Sequence, residues 1–211
     1  MRKNKPVLIV VAGPNGSGKT TITERLLTHS WTDNATYINP DIIAQEQFGG
    51  WNNKEAVLKA ANHAEEMRHN CIKNQQNFIF ETVFSTQEKL DFIQQVIDAE
   101  YFVRLFFIAT DSYKINEERI KIRTLKGGHT VPAEKIKSRY SKSIDNCSKV
   151  INLVDRAYIY DNSIDGKDPE LLFRTVKNNG KHGMRFYKGH NSWAWGIHNT
   201  AFDNILNQVA G

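Results

Sequence analysis

The stretch VLIVVAGPNGSGKTTI, residues 7–22, decides the fold. It opens with an unbroken apolar run, which predicts a buried strand, and it ends in the pattern G-x-x-x-x-G-K-T. The fixed places of that pattern are taken by Gly13, Gly18, Lys19 and Thr20. A strand, this loop and a following helix together predict a phosphate-binding loop (P-loop), because backbone N–H groups and the helix N-terminus then point at one polyphosphate. An ordinary glycine-rich turn would not need all three parts.

The predicted P-loop should bind ATP or GTP together with Mg²⁺. Lys19 is expected to reach the β and γ phosphates, and Thr20 is expected to offer its hydroxyl to Mg²⁺, which prefers oxygen ligands. The residues predicted to contact the nucleotide are Gly13, Pro14, Asn15, Gly16, Ser17, Gly18, Lys19, Thr20 and Thr21.

Composition fits one domain with a substantial core, predicted to cover residues 1–211, since 40% of the residues are hydrophobic and 24% are charged. The longest apolar runs have the length of strands, so no membrane partner is expected. The basic start MRKNK leads directly into the predicted strand, which argues against a removable signal peptide and for a cytoplasmic protein. Cys71 and Cys147 lack metal-ligand spacing and are expected to be reduced structural thiols. The net charge of +5 suits a small anionic substrate and suits RNA equally.

Apolar runs alternate with helical patterns along the chain. Strands are predicted at 7–12, 35–38, 78–80, 102–109 and 157–160, and helices at 54–73 and 88–99. This alternation predicts an α/β fold, a three-layer sandwich of the P-loop NTPase and kinase type with a mostly parallel central sheet. Ligands of such sheets bind beyond the carboxyl ends of the strands, so residues at those ends are the candidates for chemistry.

Carboxylates follow three of the predicted strands. Asp41, after the turn at Pro40, is placed either to take the proton of an acceptor hydroxyl or to cap the next helix. Glu81, directly after the third strand, is a candidate for binding a substrate hydroxyl or for holding Mg²⁺ through water, and a surface turn is the alternative. Asp111 is a rival for the metal role, but a helix cap together with Ser112 is favoured.

Residues 112–142 form a basic segment around the pair Gly127-Gly128. Positive charge stabilises a γ-phosphate during transfer, and a glycine hinge lets such a segment close over it, so the segment is interpreted as a helical lid. A solvated basic helical hairpin is the alternative. The cations include Arg119, Lys121, Arg123, Lys126, Lys135, Lys137, Arg139 and Lys142.

The ordered set of motifs resembles the zeta toxin family. The matching pieces are GPNGSGKTT, YINPD, FETVFS, R-x-x-x-R-x-x-x-G-G-H-x-V-P followed by RY, and DRAYIYDNS. Zeta toxins are P-loop kinases of toxin–antitoxin systems, and characterised members phosphorylate a sugar hydroxyl of UDP-N-acetylglucosamine. The resemblance therefore implies an ATP-dependent kinase of a sugar nucleotide, with an antitoxin as its protein partner.

The resemblance also implies roles for individual residues. Lys19 and Thr20 would serve the nucleotide and Mg²⁺, Asp41 would be the catalytic base, and the lid would supply Arg123 and Arg139 to stabilise the transferred phosphate. The implied substrate-binding residues are Asp41, Glu81, Thr82, Arg119 and His129. Asn162 and Ser163 fall where P-loop kinases contact the adenine ring.

The C-terminal residues 168–211 carry no chemical motif. LLFRTVK and GMRFYK predict a hairpin, followed by a segment with two tryptophans and a terminal helix. Trp193 and Trp195 are interpreted as packing anchors rather than as platforms for bases.

Two other functions stay open at this point. A kinase of a nucleic-acid end or of a nucleoside hydroxyl would use the basic segment to hold its substrate, although the sequence has no RNA-binding motif. A nucleotide switch protein without an acceptor is the second, although the N-K-x-D signature of guanine-specific switches is missing.

Overall fold

The computed structural model describes residues 5–189 and 191–209, so residues 1–4, 190 and 210–211 of the predicted domain lie outside the described residues. The described strands are β1 (Val7–Ala12), β2 (Thr36–Ile38), β3 (Phe78–Thr82), β4 (Phe102–Ala109), β5 (Arg156–Asp161), β6 (Glu170–Asn178) and β7 (Lys181–Phe186). The described α-helices are α1 (Lys19–Leu27), α2 (Pro40–Gln47), α3 (Lys54–Lys73), α4 (Gln87–Asp98), α5 (Tyr113–Leu125), α6 (Ala133–Val150) and α7 (Ser192–Val209).

One sheet contains all of these strands, in the order β2-β3-β1-β4-β5-β6-β7. The first five strands in that order run parallel to one another, and β6 and β7 continue the sheet as an antiparallel hairpin. The predicted α/β fold with a mostly parallel sheet is therefore confirmed. The parallel strands all end at the edge where the P-loop leaves β1.

Alternate residues of β1 face opposite layers of helices. Leu8 and Val10 belong to the larger apolar cluster, which also contains side chains of α3, α4, α6 and α7. Ile9 and Val11 belong to the smaller cluster on the other face, together with Ile22 of α1. Because side chains of a strand alternate between the faces of a sheet, a strand buried on both faces reads as one apolar run. This arrangement explains why β1 was predictable from its sequence.

The predicted helix 54–73 is confirmed as α3, and Asn53 caps it by accepting hydrogen bonds from the backbone amides of Glu55 and Ala56. The helix buries a stripe at helical spacing that consists of Ala56, Ala60, Ala64, Arg68 and Cys71. Arg68 is unexpected in this stripe, since only 3% of its surface is exposed. A buried guanidinium group is rare unless charged or aromatic groups surround it.

The C-terminal prediction of a hairpin and a helix is confirmed by β6, β7 and α7. The two tryptophans lie inside the first turn of α7 rather than in a separate segment. Trp193 is buried and packs near Phe107, as a packing anchor should, whereas Trp195 is half exposed and contacts His198.

Both cysteines are buried free thiols, as predicted. Burial raises the pKa of each thiol, which keeps Cys71 and Cys147 protonated at neutral pH. Within the part of the chain that the structure describes, no helix combines the length and the apolar character needed to cross a bilayer.

Candidate active site

The P-loop connects β1 to α1 through glycines at which a side chain would clash or strain the backbone. A Cβ atom on Gly13 would lie 2.0 Å from the carbonyl oxygen of Ile108, inside the backbone of β4. Gly18 has a φ of 89° and occupies the N-cap position of α1 in the left-handed conformation, which residues with a side chain adopt at a cost. These glycines let the loop turn tightly so that α1 starts at Lys19 with its N-terminus facing the site.

The Lys19 ammonium group lies folded back on its own loop. It donates hydrogen bonds of 3.0 Å each to the carbonyl oxygens of Gly13 and Pro14. Burial lowers the pKa of Lys19, while the carboxylates of Glu81 and Asp41 act in the opposite direction. The charges of two carboxylates therefore act on the lysine, whose present hydrogen bonds to its own loop a β/γ phosphate would take over.

The loop after β5 supports the P-loop from outside. Asn162 donates a hydrogen bond of 2.8 Å from its amide to the carbonyl oxygen of Ser17, and it lies against Gly18. Ser163 donates to Asp161 and accepts from the backbone amide of Asp111. The structure thus shows these two residues holding loops in place, and their suggested contact with adenine stays a prediction.

Asp41 lies in the first turn of α2, and it does not cap that helix. The cap is Asn39, whose side chain accepts a hydrogen bond of 2.9 Å from the backbone amide of Asp41, and Pro40 occupies the first helical position. The capping alternative for Asp41 is therefore wrong. The first turn instead directs the Asp41 carboxylate at the lid, where Oδ1 lies 3.5 Å from Nδ1 of His129.

The charges around Asp41 keep it ionised. Partial burial opposes the ionised form, but the His129 imidazole and the charges of Lys19 and Arg123 outweigh that effect and lower the pKa of Asp41 below its usual value. An ionised carboxylate accepts hydrogen bonds and can orient a hydroxyl group.

Glu81 is the next-to-last residue of β3, so the prediction that it follows the strand is wrong. It pairs in register with Val11 of β1, which extends the strand past the apolar run. Its carboxylate accepts hydrogen bonds from Thr23 at 2.9 Å and from Tyr37 at 3.1 Å. Burial and the Glu81 charge raise the pKa of the Tyr37 hydroxyl, which therefore remains a donor.

Thr82 ends β3 and starts the loop that leads to α4. Its hydroxyl accepts a hydrogen bond from the backbone amide of Phe84 at 3.3 Å. Phe84 is buried and has a φ of 61°, a left-handed conformation that is unusual for a bulky residue. Non-glycine residues in this conformation cluster at ligand sites, where the surrounding structure maintains them.

The basic segment forms a hairpin of α5 and α6, and its arginines have different partners. Arg123 donates through Nε and Nη2 to the carbonyl oxygen of His129, at 3.0 and 2.7 Å. Arg119 is paired with Asp165 in the loop after β5. Arg139 donates to Asn15 of the P-loop at 3.3 Å. The three guanidinium groups therefore surround the phosphate end of the site, each held by a partner.

The hairpin has its own small apolar core of Ile120, Val131 and Ile136. Its second helix runs to Val150, beyond the predicted lid boundary at residue 142. The cap of α5 is Ser112, which accepts from the backbone amide of Lys114, so the expected share of Asp111 in that cap is wrong.

A single cavity of about 760 Å³ joins the groups described above. The predicted site residues that line it are Asn15, Gly16, Gly18, Lys19, Thr20, Asp41, Glu81, Thr82, Arg119, Arg123, His129 and Arg139. Gly13, Pro14, Ser17 and Thr21 shape the P-loop without lining this cavity. The cavity is also lined by Trp51, Ser85, Thr86, Glu88 and Lys89, which were not predicted from the sequence. No spacing motif marks them, because separate loops and helices contribute them.

The oxygen atoms at the phosphate end suit Mg²⁺. Thr20 lies in the first turn of α1, and the carboxylates of Glu81 and Asp41 face the neighbouring Lys19. Among residues 5–189 and 191–209, no group of three or more His, Cys, Asp and Glu side chains could hold a metal ion alone. Mg²⁺ bound to a nucleotide needs only one or two protein oxygens, since phosphates and water supply the others, so this donor set fits the ion.

Comparison with models of protein families identifies the family of this chain. The family model described as zeta toxin matches residues 1–168. The chain belongs to the zeta toxin family. It is accordingly a P-loop kinase, a phosphotransferase whose acceptor is an alcohol group. The family resemblance given above on the motifs is thereby confirmed.

Three further proteins show what this chain is similar to in sequence or in fold. An uncharacterized protein of Haemophilus influenzae is 30% identical over 134 residues, which are 63% of this chain and 91% of that protein. A structure from the PezAT toxin–antitoxin system of Streptococcus pneumoniae has a TM-score of 0.61 at 16% identity, covering 100% of this chain and 89% of that chain. A structure of AvrRxo1-ORF1:-ORF2 with ATP has a TM-score of 0.65 at 14% identity, covering 94% of this chain and 64% of that chain. At these identities the structural likeness shows the fold.

Proposed function

We propose that the chain transfers the γ-phosphoryl group of ATP to a hydroxyl group of a sugar nucleotide such as UDP-N-acetylglucosamine. The observation that supports this proposal is the cavity that joins the P-loop to Asp41, Glu81 and Thr82. A donor site and hydroxyl-binding side chains in one cavity are what direct transfer to a small acceptor needs. The volume of about 760 Å³ is that of a site for a whole small molecule.

In the proposed reaction, Lys19 leaves the carbonyl oxygens of its loop and binds the β and γ phosphates. Asp41 accepts a hydrogen bond from the acceptor hydroxyl and takes its proton as the oxygen–phosphorus bond forms and the bond between the γ-phosphorus and the bridging oxygen breaks, which releases ADP. The lowered pKa of Asp41 suits a group that must be ionised at the start of the step. Asp41 accepts the proton of the acceptor hydroxyl late in the step, when the forming bond to phosphorus has made that hydroxyl more acidic.

Arg123 and Arg139 would stabilise the charge on the moving phosphoryl group. Both reach the cavity from the helical hairpin, and both are oriented by hydrogen bonds to the protein. Arg119, Glu81, Thr82 and His129 would contact the acceptor. Thr20, with Glu81, would hold Mg²⁺, which neutralises phosphate charge when it is bound.

We further propose that the chain is the toxin of a toxin–antitoxin system and acts in the cytoplasm, where ATP is available. Membership of the zeta toxin family supports this, as does the fold shared with a structure from a toxin–antitoxin system. The partner would be a small protein encoded next to the gene. Co-expression of this partner is expected to restore the growth of cells in which the toxin is induced.

The experiment that tests the proposed reaction is a screen of the purified protein with labelled ATP and Mg²⁺ against UDP-sugars, nucleosides, dinucleotides and RNA ends. Transfer to a UDP-sugar, absent in Lys19→Ala, is the expected result. If phosphate is transferred only to RNA ends or nucleosides, the protein is a kinase of nucleic-acid ends or nucleoside hydroxyls and not of a sugar nucleotide. ATP binding without transfer to any hydroxyl would favour a nucleotide switch protein.

A further inference from the structure

Tyr37 reaches the candidate active site without lining its cavity. It is the middle residue of β2 and pairs in register with Ile79 of β3. Glu81 lies two residues further along β3 and therefore on the same face of the sheet as Ile79. The Tyr37 side chain extends toward this carboxylate, and its hydroxyl group donates a hydrogen bond of 3.1 Å to Oε2 of Glu81. None of the steps proposed above uses Tyr37.

The same hydroxyl group has a second partner in Asn39. The side-chain amide of Asn39 donates a hydrogen bond of 2.9 Å from Nδ2 to the Tyr37 hydroxyl. Its other end caps α2, because Oδ1 accepts a hydrogen bond of 2.9 Å from the backbone amide of Asp41. One short amide group thus connects the tyrosine hydroxyl to the first turn of the helix that carries Asp41.

The directions of these hydrogen bonds agree with one another. A backbone N–H group can only donate, so the oxygen of Asn39 faces Asp41 and its nitrogen faces Tyr37. An ionised carboxylate can only accept, so the hydroxyl proton of Tyr37 points at Glu81 and a lone pair is left for Asn39. Burial and the charge of Glu81 raise the pKa of Tyr37, which keeps the proton that this arrangement requires.

The contact divides the two oxygens of Glu81 between different tasks. Tyr37 and Thr23 both donate to Oε2, at 3.1 and 2.9 Å. No residue in the described part of the chain donates a hydrogen bond to Oε1. Glu81 lines the cavity, whereas Tyr37 and Thr23 lie behind its wall. The protein therefore fixes one oxygen of the carboxylate and leaves the other to a ligand in the cavity.

Asp41 needs such support because packing does little to hold it. Its side chain is 56% exposed, and it stands in the first turn of a helix of eight residues. A general base must lie within hydrogen-bond reach of the hydroxyl group that it deprotonates, and a small displacement of reacting groups lowers the rate steeply. The position of the first turn of α2 therefore matters for the proposed reaction.

We propose that Tyr37 is a positioning residue for phosphoryl transfer, because its hydroxyl group holds Glu81 and the turn that carries Asp41 in a fixed relation. The three hydrogen bonds that join Glu81, Tyr37, Asn39 and the backbone amide of Asp41 are called the Tyr37 bridge below. Tyr37 contacts neither substrate and acts through the residues at the two ends of the bridge. This inference rests on the proposed function, in which Asp41 is the base.

Two substitutions interrupt the bridge at different points. Tyr37→Phe keeps the ring and removes the hydroxyl group, while Asn39→Ser keeps a good helix cap but is too short to reach Tyr37. Each should lower kcat for transfer to UDP-N-acetylglucosamine by roughly 10-fold to 100-fold. The Kd for ATP should stay at the parental value. The double variant should lose no more than the more damaged single variant, because both changes break the same bridge.

Tyr101→Phe is the matched control. It also removes a buried tyrosine hydroxyl, one that donates to the carbonyl oxygens of Cys71 and Gln76, and Tyr101 does not line the cavity. This variant should have a lower Tm and a parental kcat. Rates are measured well below the Tm of each variant, so a loss of stability at Tyr37 without a change in positioning would leave kcat unchanged.

Hydrogen exchange of the Asp41 backbone amide, followed by NMR in the unliganded protein, tests the bridge without an acceptor. Tyr37→Phe should speed this exchange, and Tyr101→Phe should not. Parental kcat in Tyr37→Phe, or losses that add in the double variant, would overturn the inference. A parent protein that phosphorylates no hydroxyl would contradict the proposed function. The exchange rate at Asp41 then decides the bridge alone, and an unchanged rate in Tyr37→Phe would refute it.

Discussion

Asn146 of α6 donates hydrogen bonds from its side-chain amide to the carbonyl oxygens of Phe84 at 3.1 Å and Thr86 at 3.4 Å. Ser143, one turn earlier, donates to the carbonyl oxygen of Val83 at 2.8 Å. The loop between β3 and α4, with the left-handed Phe84 in its middle, is thus held by the second helix of the basic hairpin. The conformation of this loop, which lines the proposed acceptor end of the cavity, therefore depends on α6.

Replacing Asn146 by alanine should impair the acceptor site more than the nucleotide site. The change leaves the buried carbonyl oxygen of Phe84 without its donor, which costs about 1–3 kcal/mol of folding free energy. We expect a higher KM for the acceptor and an unchanged Kd for ATP. Urea unfolding of the same variant measures the loss of folding free energy. Ser148→Ala, which removes a bond within α6 only, is the control. Equal losses of ATP and acceptor binding would contradict this role of Asn146.

Asp41→Asn should bind ATP and lose phosphoryl transfer by roughly 100-fold to 10,000-fold, the usual effect of removing a general base. The amide keeps the size of the carboxylate but cannot take the proton. The Tm should stay close to that of the parent, because Asn39 and not Asp41 caps α2. Glu46→Gln, an exposed change on the same helix, is the control for charge. Parental single-turnover rates in Asp41→Asn would remove the base assignment.

His129→Gln should move the acid limb of the kcat/KM profile to higher pH. His129 is one cause of the lowered pKa of Asp41, so its removal raises that pKa and Asp41 is protonated earlier as the pH falls. A depressed carboxylate pKa stabilises the fold above the unfolded pKa, and this contribution is lost as the pH falls through the folded pKa. The difference in free energy of unfolding between parent and variant should therefore become smaller at acidic pH, where Asp41 is protonated in both proteins. An acid limb that does not move would show that Asp41 does not control it.

Arg139→Ala should lower the rate of transfer more than the affinity for nucleotide. A guanidinium group that acts on the moving phosphoryl group binds the transition state better than the ground state, and losing such a donor costs about 100-fold to 1,000-fold in kcat. Single-turnover kinetics and equilibrium binding of ATP on one preparation separate the two effects. Lys142→Ala, exposed on the same helix, is the matched control. A variant with weak ATP binding and a normal rate would place Arg139 in nucleotide binding instead.

The fold was predictable because most of the five parallel strands are buried apolar runs that alternate with helices along the chain. β1 and β4 were predicted with the bounds that the structure shows, since both faces of these strands are covered, and the sequence of β1 is apolar throughout while that of β4 is apolar except at Arg104. Glu81 was misplaced because pairing with Val11 extends β3, and pairing is not visible in the sequence of one strand.

The capping alternative for Asp41 could have been set aside from the sequence alone. Proline favours the first position of a helix, so Pro40 places the cap at Asn39 rather than at Asp41. The meeting of two cations at the Phe80 ring had no such signal. Arg68 and Lys89 are 21 positions apart on different helices, and only the packing of α3 and α4 against Phe80 brings them together.

One helix connects the two ends of the cavity. Arg139 of α6 contacts the P-loop, and Ser143 and Asn146 of the same helix contact the loop between β3 and α4. If nucleotide binding changes the position of α6, it changes the affinity for the acceptor by some factor, and thermodynamic linkage requires the acceptor to change the affinity for nucleotide by the same factor. The cooperativity between the two substrates is then a property of a single helix, and substitutions at Ser143 or Asn146, which do not line the cavity, would tune it without removing a contact with either ligand.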